Sequence, residues 1–178
     1  MNAYPISTVL PKHRLTETPN RMLHLTDQPI DTSRLIDQAC TPEAGAVVVF
    51  LGITRQFTEH GTALTGNGAK VAEGGVADGG TRETVELQYD AFREMAELEM
   101  AKLVTEARHR WSLVECLIVH RLGSVPLAEV SVAIVVSSAH RRAALAAGEW
   151  LIDTLKERVP VWKKECWVDG QTAWVHPR

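Results

Sequence analysis

The fold of this chain is decided by residues 137–165, SSAHRRAALAAGEWLIDTLKERVPVWKKE. Apolar and small residues recur here at the i, i+4, i+7 and i+11 spacing of a single helix face: Ala144, Gly148, Leu151 and Leu155. We expect Ser137 or Ser138 to cap the start of this helix, because a serine hydroxyl can accept a bond from a free backbone N–H. Pro160 should end it, since proline lacks the amide hydrogen that a helix interior requires.

Positive charge collects at both ends of the predicted helix. His140 and Arg141 lie at its first turn, where free N–H groups and the helix dipole favour an anion such as phosphate or carboxylate. Lys156 lies near its end, and Lys163 and Lys164 follow just beyond it. Adjacent residues of an extended chain point to opposite faces, so one lysine of the pair can face a pocket while the other faces water. Ordinary solvated cations would fit the same spacing.

The two ends of this helix are too far apart to serve one small substrate. His140 and Lys156 are separated by 16 positions, which corresponds to ~24 Å on one helix. If both ends contribute to one site, the helix start must come from a second subunit, so the spacing predicts a homodimer with composite sites. Small residues along the helix would allow close packing on a neighbouring subunit, or equally on the chain's own sheet: Ala143, Ala144, Ala147 and Gly148.

Composition excludes several classes of protein. With 178 residues, of which 45% are hydrophobic, the chain suits one domain with a substantial core. There is no apolar run of about 18 residues and no secretory signal at the start, so we expect neither a membrane span nor a membrane partner. A net charge of −3 argues against a general nucleic-acid binder.

The cysteines and histidines give no pattern of a metal or disulfide site. The three cysteines are far apart and form no CxxC, and the seven histidines form no HExxH. We therefore expect a reducing, cytoplasmic location, no metal and no cofactor. Cys116 lies inside an apolar strand, where an inert core thiol is the simplest interpretation.

The remaining pattern predicts an α+β fold, in which two principal helices pack on largely antiparallel strands. Residues 1–20 show no periodicity and are interpreted as a flexible tail, while residues 21–178 form the single domain. The predicted strands are 21–26, 46–51, 85–89, 114–120, 129–136, 166–168 and 172–175; the predicted helices are 31–39, 92–111 and the one described above; residues 121–127 are a turn. The strand 46–51 is continuously apolar, which predicts burial on both faces or nearly so.

Residues 56–84 differ in character from the rest of the chain. They hold seven of the twelve glycines, and their low hydrophobicity favours a mobile insert, a lid being one possible role. Arg55 directly precedes this insert and follows the buried strand, a position typical of a cleft, although a surface arginine is the simpler interpretation from spacing alone.

Several of these stretches together resemble the large, catalytic subunit of molybdopterin synthase. The resemblance rests on GAVVVFLGITR (45–55), RHRW (108–111), IVHRLG (118–123), SSAHR (137–141) and LKERVPVWKKE (155–165), and it extends over about residues 22–178. It implies an α/β-hammerhead-like α+β fold and a central dimer, each subunit of which binds a small ubiquitin-like sulfur carrier to give a heterotetramer. The carrier's C-terminal Gly-Gly thiocarboxylate then supplies sulfur to cyclic pyranopterin monophosphate, and two transfers form the dithiolene of molybdopterin.

The same resemblance implies roles for particular residues. Lys156 and Lys163 match the two key lysines, which bind the thiocarboxylate tail and transfer protons. Arg55 matches the strand-end arginine of the pocket, and Phe50 and Ile152 match apolar positions that line it.

Three further residues match positions that contact the substrate. His140 and Arg141 match a pair donated by the other protomer to the substrate phosphate, and Arg178 matches a further C-terminal arginine. The chain departs from the family in its glycine-rich insert, where relatives have a short loop, and in its extra N-terminal tail. A non-catalytic paralogue that binds a ubiquitin-like tail is the alternative. A phosphate-ester hydrolase is a third interpretation, but the chain offers it neither a metal set nor a paired carboxylate.

Overall fold

The computed structural model describes residues 23–59, 62–64, 70–72 and 81–175. Within these ranges the chain forms three α-helices and eleven β-strands. The helices are α1 (Thr32–Ala39), α2 (Arg93–Arg110) and α3 (Arg141–Arg158). The strands are β1 (Leu23–Thr26), β2 (Ala46–Ile53), β3 (Phe57–Glu59), β4 (Thr62–Leu64), β5 (Lys70–Ala72), β6 (Thr81–Ala91), β7 (Leu113–Arg121), β8 (Gly123–Pro126), β9 (Val130–Ser138), β10 (Val161–Trp167) and β11 (Thr172–Val175). No helix in these ranges is long and apolar enough to cross a membrane.

Strands β1, β7, β9 and β2 form a four-stranded sheet in that order, and β1–β7 is its single parallel pair within the described residues. Helices α2 and α3 pack on one face of this sheet, where β7 contributes Cys116 and Ile118. Helix α1 packs on the opposite face, where β7 contributes Leu117 and Val119. The near-complete burial of β7 and β9 follows from this three-layer arrangement, and the mixture of helices with mostly antiparallel strands confirms the α+β class.

The prediction that strand β2 is buried on both faces was wrong. Most of its residues are only half-buried, and Val49 keeps 38% of its surface exposed. The reason is its place in the sheet, because β2 is an edge strand with α3 packed on one side. An apolar run of this length is typical of a central strand, and only the strand order distinguishes an edge from a centre.

Helix α3 matches the predicted periodicity but begins later than the serine caps require. Its apolar face is buried as expected: Ala144, Gly148, Leu151 and Leu155. Ser137 and Ser138 are not its caps, because the ladders with β2 and β7 extend β9 to Ser138 and bury both serines. The N-cap is His140, which makes no side-chain capping bond, while Val159 precedes Pro160 as the C-cap.

A second sheet contains β11, β10, β6 and β3 in that order, with β8 also paired to β6. Strand β8 lies where a turn was predicted from Gly123 and Pro126, and it forms because its backbone pairs with residues 86–89 of β6. The alternation along β10 directs Lys163 and Glu165 to one face and Trp162 and Lys164 to the other.

The glycine-rich segment is bounded by paired strands. Phe57 of β3 lies opposite Glu83 of β6, and β6 begins at Thr81, four residues before its predicted start. Arg82 holds this end to the β10–β11 hairpin, since its guanidinium lies 3.8 Å over the Trp167 ring and donates to Asp169 and Gln171. Strands β4 and β5 pair with each other within the segment. The N-terminal tail predicted for residues 1–20 lies outside the described residues.

Candidate functional site

A cleft of about 580 Å³ lies where the last turns of α3 meet the facing sides of the two sheets. Strands β2, β7 and β9 form one wall, and β6, β10 and β11 form the other. The cleft brings together five of the residues that the sequence had marked: Phe50, Arg55, Ile152, Lys156 and Lys163. Residues that are far apart in the chain thus converge on one concave surface, as expected of a binding or catalytic site.

Lys163 reaches the cleft because β10 presents its odd-numbered residues to that side. It lies opposite Tyr89 of β6, and its Nζ is 2.8 Å from Oε1 of Glu165. Glu165 is only 1% exposed, so a buried carboxylate holds the lysine in place. Lys164 points to the other face, where its Nζ is 6.0 Å from the centre of the Trp174 ring. The sequence expectation that the two adjacent lysines face opposite sides is met.

Lys156 lies in the last turn of α3 and is exposed at the mouth of the cleft. Among the described residues no carboxylate lies within ion-pair distance of its Nζ, so its charge is available to a ligand. Nearby Arg158 instead joins α3 to α2, with nitrogens 2.9 Å from Glu106 and 3.4 Å from Glu99. This contact fixes the end of the helix that carries Lys156.

The cleft also contains polar residues that sequence reasoning missed. Burial raises the pKa of Tyr89 above its ordinary value, and the Glu165 charge adds to that rise, while a hydrogen bond with Ser131 opposes it. Burial lowers the pKa of His120 to about 4, against the opposing effect of its bond to the Arg121 carbonyl. The Tyr89 and His120 rings meet edge to face with centroids 5.0 Å apart. In the sequence, the one sign of these residues was His120, a histidine within the otherwise apolar stretch 113–121.

The charge of the cleft is mixed, whereas the sequence had suggested only cations. Asp153 and Glu157 of α3 line it together with Glu165, and they accompany the basic side chains of Arg55, Lys156 and Lys163. Each lysine can therefore bind an anionic group of a ligand, and the carboxylates can accept hydrogen bonds from the rest of it.

Two predicted site residues, His140 and Arg141, do not line this cleft. His140 and Arg141 lie at the opposite end of α3, exposed to solvent. Arg178 lies outside the described residues. Cys116 is fully buried and its pKa is raised to about 12 by that burial, which fits the inert core thiol that was expected. In the part of the chain that the structure describes, no group of three His, Cys, Asp or Glu side chains is placed to hold a metal ion.

Comparison with known proteins identifies relatives over most of the chain. The model of the MoaE protein family matches residues 25–158. The molybdopterin synthase catalytic subunit of Thermoplasma volcanium is 36% identical over 155 residues, which cover 87% of this chain and 98% of that protein. The protein of the same name from Rattus norvegicus is 33% identical over 170 residues, covering 96% of this chain and 74% of the relative.

Solved structures show the same fold. Molybdopterin synthase from Staphylococcus aureus superposes with a TM-score of 0.68 at 32% identity, covering 85% of this chain and 94% of that one. A complex of subunits 1 and 2 of molybdopterin-converting factor from Helicobacter pylori contains a chain that superposes with a TM-score of 0.64 at 21% identity, covering 88% of this chain and 92% of that one. At that identity the second likeness concerns the fold alone.

Proposed function

The chain belongs to the MoaE family, whose members include molybdopterin synthase catalytic subunits, and from this premise we propose that it catalyses the sulfur-transfer step of molybdenum cofactor biosynthesis. The sulfur donor is the thiocarboxylated C-terminus of a small ubiquitin-like carrier subunit, and the acceptor is cyclic pyranopterin monophosphate. Two transfers place the two dithiolene sulfurs. The single observation that supports this most directly is the convergence of Arg55, Lys156 and Lys163 on one cleft.

The cleft suits the end of an extended peptide tail. A thiocarboxylate is an anion, and Lys163 and Lys156 present ammonium groups to it from β10 and from the end of α3. Apolar side chains, among them Phe50 and Ile152, also line the cleft and help to exclude water around the reacting sulfur. The nucleophile arrives with the carrier, so the chain needs to supply only charge, orientation and proton transfer.

In this proposal the substrate phosphate is bound by a different group of residues from the thiocarboxylate. His140 and Arg141 lie at the far end of α3 from Lys156, on the same 18-residue helix. They therefore serve the cleft of a second protomer, in a homodimer that binds two carriers to form a heterotetramer. The N-terminus of α3 offers free backbone N–H groups to the phosphate beside these cations. We also propose that the protein acts in the cytoplasm, as expected from the cysteine pattern.

Reconstitution with a thiocarboxylated carrier and cyclic pyranopterin monophosphate tests this function. We expect the wild-type protein to form the dithiolene product and Lys163→Ala to reduce the rate at least 100-fold, about 3 kcal/mol of lost transition-state stabilisation. Lys164→Ala is the matched control, because its side chain lies on the opposite face of the same strand. Tail binding without product in the wild type would support the non-catalytic alternative, and equal losses in both variants would contradict the assignment of Lys163.

A further inference from the structure

His120 is a buried titratable side chain of the cleft that the proposed chemistry does not use. It lies on β7, is 5% exposed, and contributes to the same wall as Ser131 and Val132. Its ring is fixed on two sides, by the Arg121 carbonyl at Nδ1 and by the edge-to-face contact with Tyr89. A side chain held this firmly has little freedom to reorient when a ligand enters.

The Arg121 contact determines which ring nitrogen carries the proton. Nδ1 lies 2.9 Å from a carbonyl oxygen, which can only accept, so Nδ1 must be the donor. In the neutral ring Nε2 is then an acceptor with a free lone pair. Burial keeps the ring neutral at physiological pH, because it lowers the pKa to about 4.

The acceptor nitrogen has no protein partner within the described residues. Among those residues, the Arg121 carbonyl is the one hydrogen-bond partner of the His120 side chain. Nε2 is not one of the completely buried atoms that lack a partner, so it keeps some accessible surface. Since His120 lines the cleft, Nε2 is open to a ligand that occupies it. A buried acceptor normally finds a donor, so a ligand that brings an N–H satisfies this atom.

We propose that His120 is a ligand-contacting residue of the cleft, and that its Nε2 accepts a hydrogen bond from a backbone N–H near the C-terminus of the carrier's peptide tail. The proposal rests on the function proposed above. An extended chain advances about 3.3–3.6 Å per residue, so the last two amide groups lie within several ångströms of the terminal thiocarboxylate. Lysines therefore bind the anionic end of the tail while His120 recognises the peptide group behind it.

This assignment is favoured because His120 differs from the other acceptors of the cleft. The Glu165 carboxylate is already engaged by Lys163, and the Ser131 hydroxyl donates to the Gly52 carbonyl 3.1 Å away. A neutral nitrogen also leaves the electrostatic attraction of the lysines for the tail undiminished, whereas a carboxylate in its place would repel the anion. The contact makes the site selective for a tail with a free amide hydrogen, and it excludes proline at that position.

A double-mutant cycle between protein and peptide tests the contact. The probes are a synthetic carrier-tail peptide ending in Gly-Gly and two versions in which one or the other glycine is N-methylated, and affinity is measured by calorimetry. For the wild type we expect one N-methyl peptide to bind about 5- to 10-fold more weakly, the amount typical of one neutral hydrogen bond. In His120→Leu that peptide and the parent should bind equally, while His120→Gln, which keeps an acceptor, should retain the discrimination.

A second measurement does not depend on the variants folding. In wild-type protein labelled with ¹⁵N-histidine, the Nε2 resonance of His120 should be that of an unprotonated acceptor and should shift when the parent peptide is added. The inference would be overturned if the resonance did not move, or if the losses of affinity from N-methylation and from the His120 substitution were simply additive. Either result would leave the proposed function standing. A shift caused by the pterin substrate and not by the peptide would also overturn it. Absence of both peptide binding and product in the wild type would instead refute the proposed function itself.

Discussion

At the scale of single residues, the ion pair between Lys163 and Glu165 links stability to the site. The carboxylate is 1% exposed and depends on nearby donors for its solvation, whereas the lysine side chain is 33% exposed. Removing the lysine therefore takes its ammonium away from a buried negative charge, which costs more than the pair itself contributes. The same side chain is thus under two constraints, one from the reaction and one from the fold.

We predict that Lys163→Ala lowers the free energy of unfolding by roughly 1–3 kcal/mol, less than a fully buried pair because the lysine is partly exposed. The double variant Lys163→Ala/Glu165→Gln should recover part of that loss, since the amide carries no charge. Urea denaturation of the wild type, the two single variants Lys163→Ala and Glu165→Gln, and the double variant measures both effects. Additive losses in the double variant would show that the two side chains are not coupled.

Sequence spacing could predict only some of the site residues. Spacing marked Lys156, Lys163 and Arg55 as cations near predicted elements, but solvated side chains fitted that spacing as well, and the resemblance to a family implied their roles. His120, Tyr89 and Glu165 did not stand out, because their importance comes from burial between two sheets and from partners on other strands. Local sequence carries little information about such long-range pairing.

At the scale of secondary structure, the helices and most strands were predictable, whereas β8 and the first half of β10 were not. The periodicity of α3 predicted its buried face, since packing on the sheet selects that face. Strand β8 contains Gly123 and Pro126, which are typical of turns, and β10 contains the polar run Lys163, Lys164 and Glu165. Both exist because their backbones pair with β6, an interaction that local propensity does not encode.

Helix α3 offers a matched test of how packing stabilises this element. Leu151 is fully buried, whereas Leu145 on the same helix is 58% exposed. We predict that Leu151→Ala lowers the free energy of unfolding by about 2–5 kcal/mol through loss of contacts and the cavity left behind. Leu145→Ala should change it by no more than about 0.5 kcal/mol. Thermal and urea unfolding distinguish the two, and equal effects would show that α3 is not packed as described.

At the scale of the whole molecule, the length of α3 separates two groups of proposed site residues. Lys163 lies in the cleft beyond the C-terminal end of the helix, while His140 caps its N-terminal end. In the homodimer proposed above, each cleft takes its phosphate-binding pair from the other protomer. A defect in one group can then be compensated by a partner chain that carries a defect in the other.

Mixing two inactive variants tests this arrangement. We predict that Lys163→Ala and His140→Ala/Arg141→Ala, each strongly impaired alone, regain about a quarter of wild-type activity when unfolded and refolded together. Random pairing makes half of the dimers mixed, and each mixed dimer restores one of its two sites. The control is each variant refolded by itself. No recovery, in dimers shown to have exchanged subunits, would mean that each protomer forms its site alone.

The clamp of Arg82 on Trp167, together with the pairing of β3 with β6, has a practical consequence for protein engineering. Both ends of the glycine-rich segment are fastened to the second sheet, so the separation of its ends does not depend on how many residues lie between them. Doubling the length of such a closed loop costs only about 0.6 kcal/mol. We therefore expect that an epitope or small fluorescent reporter inserted between β5 and β6 leaves the melting temperature and the turnover nearly unchanged. The same insertion in the Arg82→Ala variant should lower the melting temperature more.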